Sequence, residues 1–137
     1  MPFEELEHTA DVKMRITAPD FTALLAESGF ALSQVMYGTS ERRTSEIGIS
    51  IEAEGTSAEE LCVNFLSELL FIMETEYLVP SAFSLTVSEN SITGTVSGIP
   101  FERGKHSGGI EVKGISYSGL TLTKTNTEYE LIIIFDI

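Results

Sequence analysis

The sequence has few residues that cross-link chains or bind soft metals: one cysteine, Cys62, and two histidines, His8 and His106. A single cysteine excludes an internal disulfide bond and a zinc site built from several thiolates. Its apolar neighbours predict that Cys62 is a buried small side chain. Neither histidine has a cysteine or a second histidine at metal-ligand spacing, so we expect two partly exposed polar residues and no zinc site. His8, beside Thr9 and Asp11, is the better functional candidate.

Basic residues are also scarce. The chain has 8 lysines and arginines against 21 acidic residues, which gives a formal net charge of -13. Such a surface repels a phosphate backbone, so direct binding of RNA or DNA is disfavoured. The same charge suits hard cations or a basic protein surface, although many acidic proteins use it only for solubility. Charge alone therefore leaves the function open.

Long apolar runs are missing as well. No run approaches the roughly 20 residues that a membrane-spanning helix needs. The first residues, MPFEE, lack the basic and apolar regions of a signal peptide. We therefore expect a cytoplasmic protein without a membrane segment. With 137 residues, 42% of them hydrophobic, the chain is predicted to form one domain over residues 1–137.

Two segments have the apolar spacing of amphipathic helices. Residues 21–37 follow Asp20, a side chain that can cap a helix, and end at Gly38. A capping box at residues 57–60 precedes a second and wider apolar stripe that begins at Leu61. We expect Pro80 to close this second segment, because proline cannot continue a helix.

The rest of the chain has the patterns of strands and turns. Alternating or continuous apolar residues predict strands at 3–7, 12–18, 44–54, 82–88, 91–98, 109–117, 119–125 and 128–136. Short polar turns at 88–91 and 125–127 predict antiparallel hairpins. The uninterrupted apolar run at 131–135 predicts a strand in the middle of the sheet. The order of elements indicates an α+β fold, a single two-layer domain with two helices packed on a largely antiparallel sheet.

Residues 98–106 have the glycines and lysine of a phosphate-binding loop but not their spacing. Five residues separate Gly98 from Gly104 where that loop has four, and Lys105 precedes His106 instead of a serine or threonine. No helix start follows that could receive a phosphate. An ordinary exposed loop is therefore expected. The Gly-x-Ser-x-Gly motif of a serine hydrolase is also absent.

Asp11 and Asp136 are the more informative residues. Asp11 lies in a polar turn between two early strands, and Asp136 ends the apolar C-terminal strand one residue before Ile137. If those two strands are neighbours, both side chains converge with the carboxylate of Ile137. Such a set of oxygens favours calcium, magnesium or manganese over zinc. From the residues alone, two unrelated solvated aspartates remain an alternative.

Four segments resemble archease sequences in the same order and over nearly the whole chain. They are residues 3–12 (FEELEHTADV), residues 66–71 (LSELLF) with 74–76 (ETE), residues 105–106 (KH) with 111–117 (EVKGISY), and residues 135–137 (FDI). The resemblance implies a protein cofactor that promotes guanylylation of the GTP-dependent tRNA-splicing RNA ligase and supports its multiple turnover. Ligation itself would stay on the ligase, so the chain is expected to be an activator and not an enzyme.

The resemblance also implies where the functional residues lie. A divalent ion would bind at Asp11, Asp136 and the carboxylate of Ile137, with calcium as first choice and magnesium or manganese as alternatives. The family also has important basic residues in the late segment, which correspond here to Lys113 or Lys105. The partner would be the ligase protein, which an acidic helper can approach without competing for RNA.

Three positions depart from the family pattern. Lys13 stands where glycine is common, Gly114 replaces a frequent alanine, and Ser118 stands where many members have histidine. These departures bear on the late loop more than on the family. The alternative functions are a chaperone-like module for an RNA-modifying enzyme and, third, a metal-dependent hydrolase. Faster ligase guanylylation, suppressed aggregation of the partner and turnover by the isolated protein distinguish the three.

Overall fold

The computed structural model describes residues 2–6, 11–40, 42 and 45–137. In chain order the elements are β1 (Phe3–Leu6), β2 (Val12–Ala18), α1 (Phe21–Tyr37), β3 (Ile47–Glu54), α2 (Ala58–Glu76), β4 (Leu78–Val87), β5 (Ser91–Pro100), α3 (Arg103–His106), β6 (Gly114–Lys124) and β7 (Tyr129–Asp136). Among the described residues, no helix is both long enough and apolar enough to cross a membrane.

The described strands form two antiparallel sheets. One has the order β1-β2-β7-β6 and the other β3-β5-β4. Both predicted hairpins, β4–β5 and β6–β7, are confirmed, and β7 lies between β2 and β6 as its apolar run predicted. The α+β class is confirmed, with the difference that the strands are divided between two sheets instead of one.

The two long helices, α1 and α2, each pack against both sheets. Helix α1 contacts β2 of the first sheet and β4 of the second, while α2 contacts β6 of the first and β3 of the second. The core between the helices and the sheets is apolar. It includes side chains with no exposed surface: Leu24, Phe65, Leu69, Leu131 and Phe135. Burial of such side chains is the main stabilising term of a domain of this size. Cys62 is also fully buried, as predicted.

The helix starts follow the sequence closely. Asp20 Oδ1 accepts a hydrogen bond of 2.8 Å from Ala23 N–H, and Ser57 Oγ accepts one of 3.1 Å from Glu60 N–H. Glu60 in turn accepts a bond of 3.0 Å from the N–H of Thr56, one residue earlier than in the usual capping box. These bonds satisfy N–H groups that have no partner within the helix.

The predicted end of α2 at Pro80 is wrong. The helix stops at Tyr77, which adopts the left-handed conformation with φ 52°, and its N–H still bonds to Met73 O. Residues 78–80 already belong to β4, and the register of β4 with β5 shifts between Pro80 and Ala82. Proline is tolerated at such an irregularity because its missing N–H interrupts no regular ladder.

The prediction of two separate strands at 109–117 and 119–125 is also wrong. A single strand, β6, covers Gly114–Lys124, with a register shift between Ser116 and Thr121 and Gly119 at φ 71°. Gly108 and Ile110 donate their N–H groups to carbonyls at the end of α1 instead of joining the sheet. Smaller differences concern β3, which begins at Ile47, and positions 7 and 44, which lie outside the described residues.

Candidate functional site

The register of β2 and β7 aligns Asp11 with Asp136. Val12 pairs with Phe135 at the last position of this ladder, so continuing the register by one residue sets Asp11 opposite Asp136. The condition for convergence that the sequence left open, neighbouring strands, is therefore met.

The hydrogen-bond pattern defines what kind of pair the two aspartates form. Thr17 N–H donates to Pro2 O at 2.7 Å, so the odd-numbered residues of β2 direct their backbone groups toward β1. Asp11 follows the same alternation and is therefore not hydrogen-bonded to Asp136 through the backbone. In such antiparallel pairs the Cα atoms are only about 4.5 Å apart and the side chains approach closely. Residues that lie opposite each other in such a pair project to one face of the sheet, so the side chains of Asp11 and Asp136 share a face.

Strand β6 borders this site on the side of β7 that faces away from β2. The N–H of Lys113 donates a 2.7 Å bond to Asp136 O, and Gly114 pairs with Asp136 in the ladder. Asp136 Oδ2 lies 3.8 Å from the position that a Cβ atom on Gly114 would take. An alanine there would make ordinary contact, so the departure from the family pattern at Gly114 leaves space beside the carboxylate without altering the backbone. Ile137 follows with 42% of its surface exposed.

Helix α1 ends near this side of the molecule. Gly38, the C-cap of α1, lines the same cavity as Val12, the residue after Asp11. The end of α2 is linked to α1 because Tyr37 Oη donates to Leu78 O at 3.0 Å. Neither helix has a basic side chain in its last turn that would offset the partial negative charge of its C-terminus.

The donor set is compatible with a hard divalent cation but is small. Asp11 and Asp136 supply carboxylate oxygens, which calcium, magnesium and manganese prefer. Within the described part of the chain, no group of three or more His, Cys, Asp or Glu side chains is close enough to hold a metal ion. Further ligands would therefore be the carboxylate of Ile137, backbone carbonyls or water.

The late segment, residues 101–113, is built around His106. The prediction that His106 is a partly exposed residue of an ordinary loop is wrong. His106 is 3% exposed and belongs to the short helix α3. Its Nδ1 accepts a 2.8 Å hydrogen bond from Glu102 N–H. The centroid of its ring lies 5.8 Å from that of Phe101 and 6.2 Å from that of Tyr37. Because Nδ1 is an acceptor, the ring proton of the neutral form is on Nε2. The ring thus fixes the turn instead of facing solvent.

The predicted basic residues differ in their surroundings. Lys105 Nζ forms an exposed ion pair with Glu102 Oε2 at 3.0 Å. Lys113 is exposed and is joined to the aspartate site through its backbone. His8 lies outside the described residues.

Tyr37 and two glycines are residues that sequence reasoning missed. Burial, and secondarily the charge of Glu74, raises the pKa of Tyr37 to about 12. The N–H groups of Gly108 and Ile110 donate to Tyr37 O and Val35 O at 3.2 and 2.9 Å, so the late segment binds the end of α1. A Cβ atom on Gly109 would lie 2.3 Å from Val35 O. The adjacent glycines at 108 and 109 were the available signal for this close approach.

Fold and site together define a small acidic α+β protein with paired carboxylates where two central strands meet. Comparison with known proteins identifies its family. The model of the Archease protein family (MTH1598/TM1083) matches residues 3–137. The chain therefore belongs to the archease family.

Individual relatives agree with this assignment. The archease-like protein of Drosophila melanogaster is 35% identical, with 100% of this chain and 91% of that protein covered. The archease of Methanopyrus kandleri is 30% identical, with 90% and 91% covered. These relatives match the chain over almost its whole length.

Two solved structures share the fold. The solution structure of Methanobacterium thermoautotrophicum protein 1598 matches with a TM-score of 0.84 at 24% identity, over 99% of both chains. The crystal structure of a Thermotoga maritima archease, described as a possible chaperone, matches with a TM-score of 0.66 at 16% identity, over 98% of this chain and 96% of that one. At these identities the two structures establish the fold alone.

Proposed function

We propose that the chain is a metal-binding protein cofactor of the GTP-dependent tRNA-splicing RNA ligase, which promotes ligase guanylylation and multiple turnover. The observation that carries the proposal is the alignment of Asp11 with Asp136 on neighbouring strands of an archease fold. Asp11, Asp136 and the carboxylate of Ile137 would hold a divalent ion, with calcium as first choice. A bound ion would neutralise the carboxylates and present a positive centre to the partner.

The charge of the chain supports a protein partner over an RNA substrate. An RNA ligase must present a basic surface to its substrate, and a net charge of -13 is attracted to such a surface. The same charge opposes condensation on a phosphate backbone. The chain would therefore act on the ligase, in the cytoplasm, while the ligation chemistry stays on the ligase.

Lys113 is the basic residue we assign to activation. Its backbone bonds to Asp136, so the lysine is held beside the proposed ion, whereas the charge of Lys105 is paired with Glu102. Lys113→Ala should reduce ligase stimulation and Lys105→Ala should not. Equal loss in both variants would reject this assignment. His8, whose neighbours in the sequence include Asp11, stays a candidate for the same step.

A guanylylation assay tests the proposal. The purified chain is mixed with the cognate ligase, GTP and manganese, and formation of the ligase–guanylate adduct is followed in time. We expect faster adduct formation with the chain than without it, and no adduct on the chain itself. An unchanged rate would contradict the cofactor function.

A chaperone-like module is the second candidate. The Thermotoga maritima archease carries that description, and here Tyr77 and Ile110 are large apolar side chains that are 68% and 46% exposed. Exposed apolar surface suits a protein that shields a partner. This function would suppress aggregation of the ligase and leave the guanylylation rate of soluble ligase unaltered.

A further inference from the structure

A cavity of about 500 Å³ runs along the edge of the first sheet, beside β1. Three consecutive residues of that strand, Phe3, Glu4 and Glu5, line it. Because successive side chains of a strand point to opposite faces, a cavity lined by all three follows the backbone edge of the strand. β1 is the outermost strand of its sheet, so this edge pairs with no other described strand.

The backbone of β1 directs hydrogen-bonding groups into this space. Pro2 O accepts a bond from Thr17 N–H, and the register continues with Glu4 opposite Arg15. In an antiparallel pair such bonded positions alternate with unbonded ones. The N–H and C=O groups of Phe3 and Glu5 therefore point away from β2. They form the short template that an added strand would use.

The opposite wall comes from the end of α1 and the late segment. Gly38, Gly108 and Gly109 line the cavity there, together with Val35 and Ile110. A Cβ atom on Gly38 or Gly109 would meet backbone atoms of Gly108 or Met36, so these glycines pack closely against the protein's own backbone and form a wall without side chains. Met14 and Val12 form an apolar floor. The space thus has two walls, an apolar floor and one edge whose backbone groups pair with no other strand in the described part of the chain.

The charge of the cavity is negative. Glu5 lies opposite Met14, on the face of the sheet that the alternation of β2 makes apolar, yet it is exposed and carries a carboxylate. Glu4 is paired with Arg15 at 2.6 Å, so Glu5 is the carboxylate available to a ligand. The C-terminal end of α1 adds its partial negative charge. A Lys or Arg side chain complements this arrangement.

We propose that an extended segment of the partner protein adds to the outer edge of β1. Its backbone would bond to Phe3 and Glu5, an apolar side chain would occupy the cavity between β1 and the wall of Val35 and Ile110, and a neighbouring Lys or Arg would pair with Glu5. This inference rests on the proposed function, since the RNA ligase is the partner used in its test. It adds a contact surface that is separate from the carboxylates of the aspartate site.

Binding of the chain to the purified ligase, measured by titration calorimetry, tests the contact. Glu5→Gln removes the charge and keeps the outward N–H, and we expect about threefold weaker binding. Glu5→Pro removes both, and we expect a loss of about tenfold or more. Glu89→Gln, in the exposed turn between β4 and β5, changes the net charge equally and should bind like the parent.

The outcomes separate this contact from the proposed function. If the parent chain does not bind the ligase, both proposals fall. If the parent binds and Glu5→Pro binds as tightly as Glu5→Gln, strand addition is wrong while the cofactor function stands. Equal losses in Glu5→Gln and Glu89→Gln would mean that only net charge matters. A dimer of the free chain that Glu5→Pro dissociates would assign the edge to a second copy and overturn the proposal.

A second variant covers the case in which Glu5→Pro does not fold. Ile110→Lys changes an exposed side chain of the opposite wall and retains the N–H that bonds to Val35 O. It places a positive charge where the partner's apolar and basic side chains would lie. We expect at least tenfold weaker ligase binding. Unchanged binding in this folded variant would contradict the contact.

Discussion

At the scale of single residues, the pairing of β2 with β7 brings two aspartates to the same end of the first sheet. Asp11 and Asp136 are neighbours because their strands pair, and no covalent or sequence proximity would bring them together. A cation bound by both would add its binding free energy to the stability of the folded state. Removing one carboxylate should consequently remove the ion dependence without damaging the core.

The first prediction concerns this ion dependence. Calcium at a hundred times its Kd should stabilise the parent by about 2.7 kcal/mol, which raises Tm by roughly 8 °C in a domain of this size. Asp11→Asn and Asp136→Asn should fold but show no such shift. Thermal melts with and without calcium supply the measurement. If calcium, magnesium and manganese all leave the Tm of the parent unchanged, the proposed ion site is wrong.

The second prediction concerns Tyr37, whose hydroxyl is buried and donates to Leu78 O. Tyr37→Phe should lower the free energy of unfolding by about 1 kcal/mol at pH 7, because a buried carbonyl loses its donor. The pKa of Tyr37 is raised from 10.0 to about 12 by burial, so its stabilising proton is fully present below pH 10 and is lost as pH rises through 12. Chemical denaturation should therefore show the parent losing more stability than Tyr37→Phe between pH 10 and 12. Parallel pH profiles would contradict this.

At the scale of elements, sequence patterns predicted what local chemistry determines. Asp20, Ser57 and Gly38 define helix ends through their own hydrogen bonds or conformation, and α1 begins and ends as predicted. The end of α2 was predicted too late, at Pro80, because the helix already ends at Tyr77 in a left-handed conformation. A tyrosine gives no sequence signal for that conformation. The predicted division of β6 at Ser118 falls within the register shift between Ser116 and Thr121, where the strand continues through an irregularity instead of ending.

The late segment shows why the rest was not predictable. Residues 109–110 were predicted to begin a strand, but the N–H groups of Gly108 and Ile110 bond to Tyr37 O and Val35 O at the end of α1, which is distant in sequence. The same holds for the site: the sequence nominated Asp11 and Asp136, yet only the pairing of β2 with β7 makes them neighbours. Contacts between distant elements, and not local propensity, decide both.

The third prediction tests the binding of this segment to α1. Gly109→Ala places a Cβ atom 2.3 Å from Val35 O and the Met36 carbonyl carbon, so the segment or the helix end must shift. We expect a loss of about 1–3 kcal/mol in the free energy of unfolding. Gly104→Ala is the matched control, because nothing lies within 4 Å of its Cβ position. Equal stability of the two variants in urea titrations would contradict this packing.

At the scale of the whole molecule, the net charge of -13 determines which partners can approach. The fourth prediction follows from it: the isolated chain should bind tRNA no more tightly than the nonspecific range of about 10⁻⁴–10⁻⁶ M. Filter binding at low salt measures this. Submicromolar affinity for tRNA without ligase would mean that the chain contacts the substrate directly.

The central claim is that an ion held by the paired aspartates makes the chain an activator of the ligase. The most direct test is the single-turnover rate of ligase guanylylation with parent, Asp136→Asn or Glu89→Gln chain. The two variants have the same net charge, and only the first alters the proposed site. Asp136→Asn should reduce the rate to that of ligase alone, while Glu89→Gln should match the parent. Stimulation by folded Asp136→Asn at the parental rate would contradict the account.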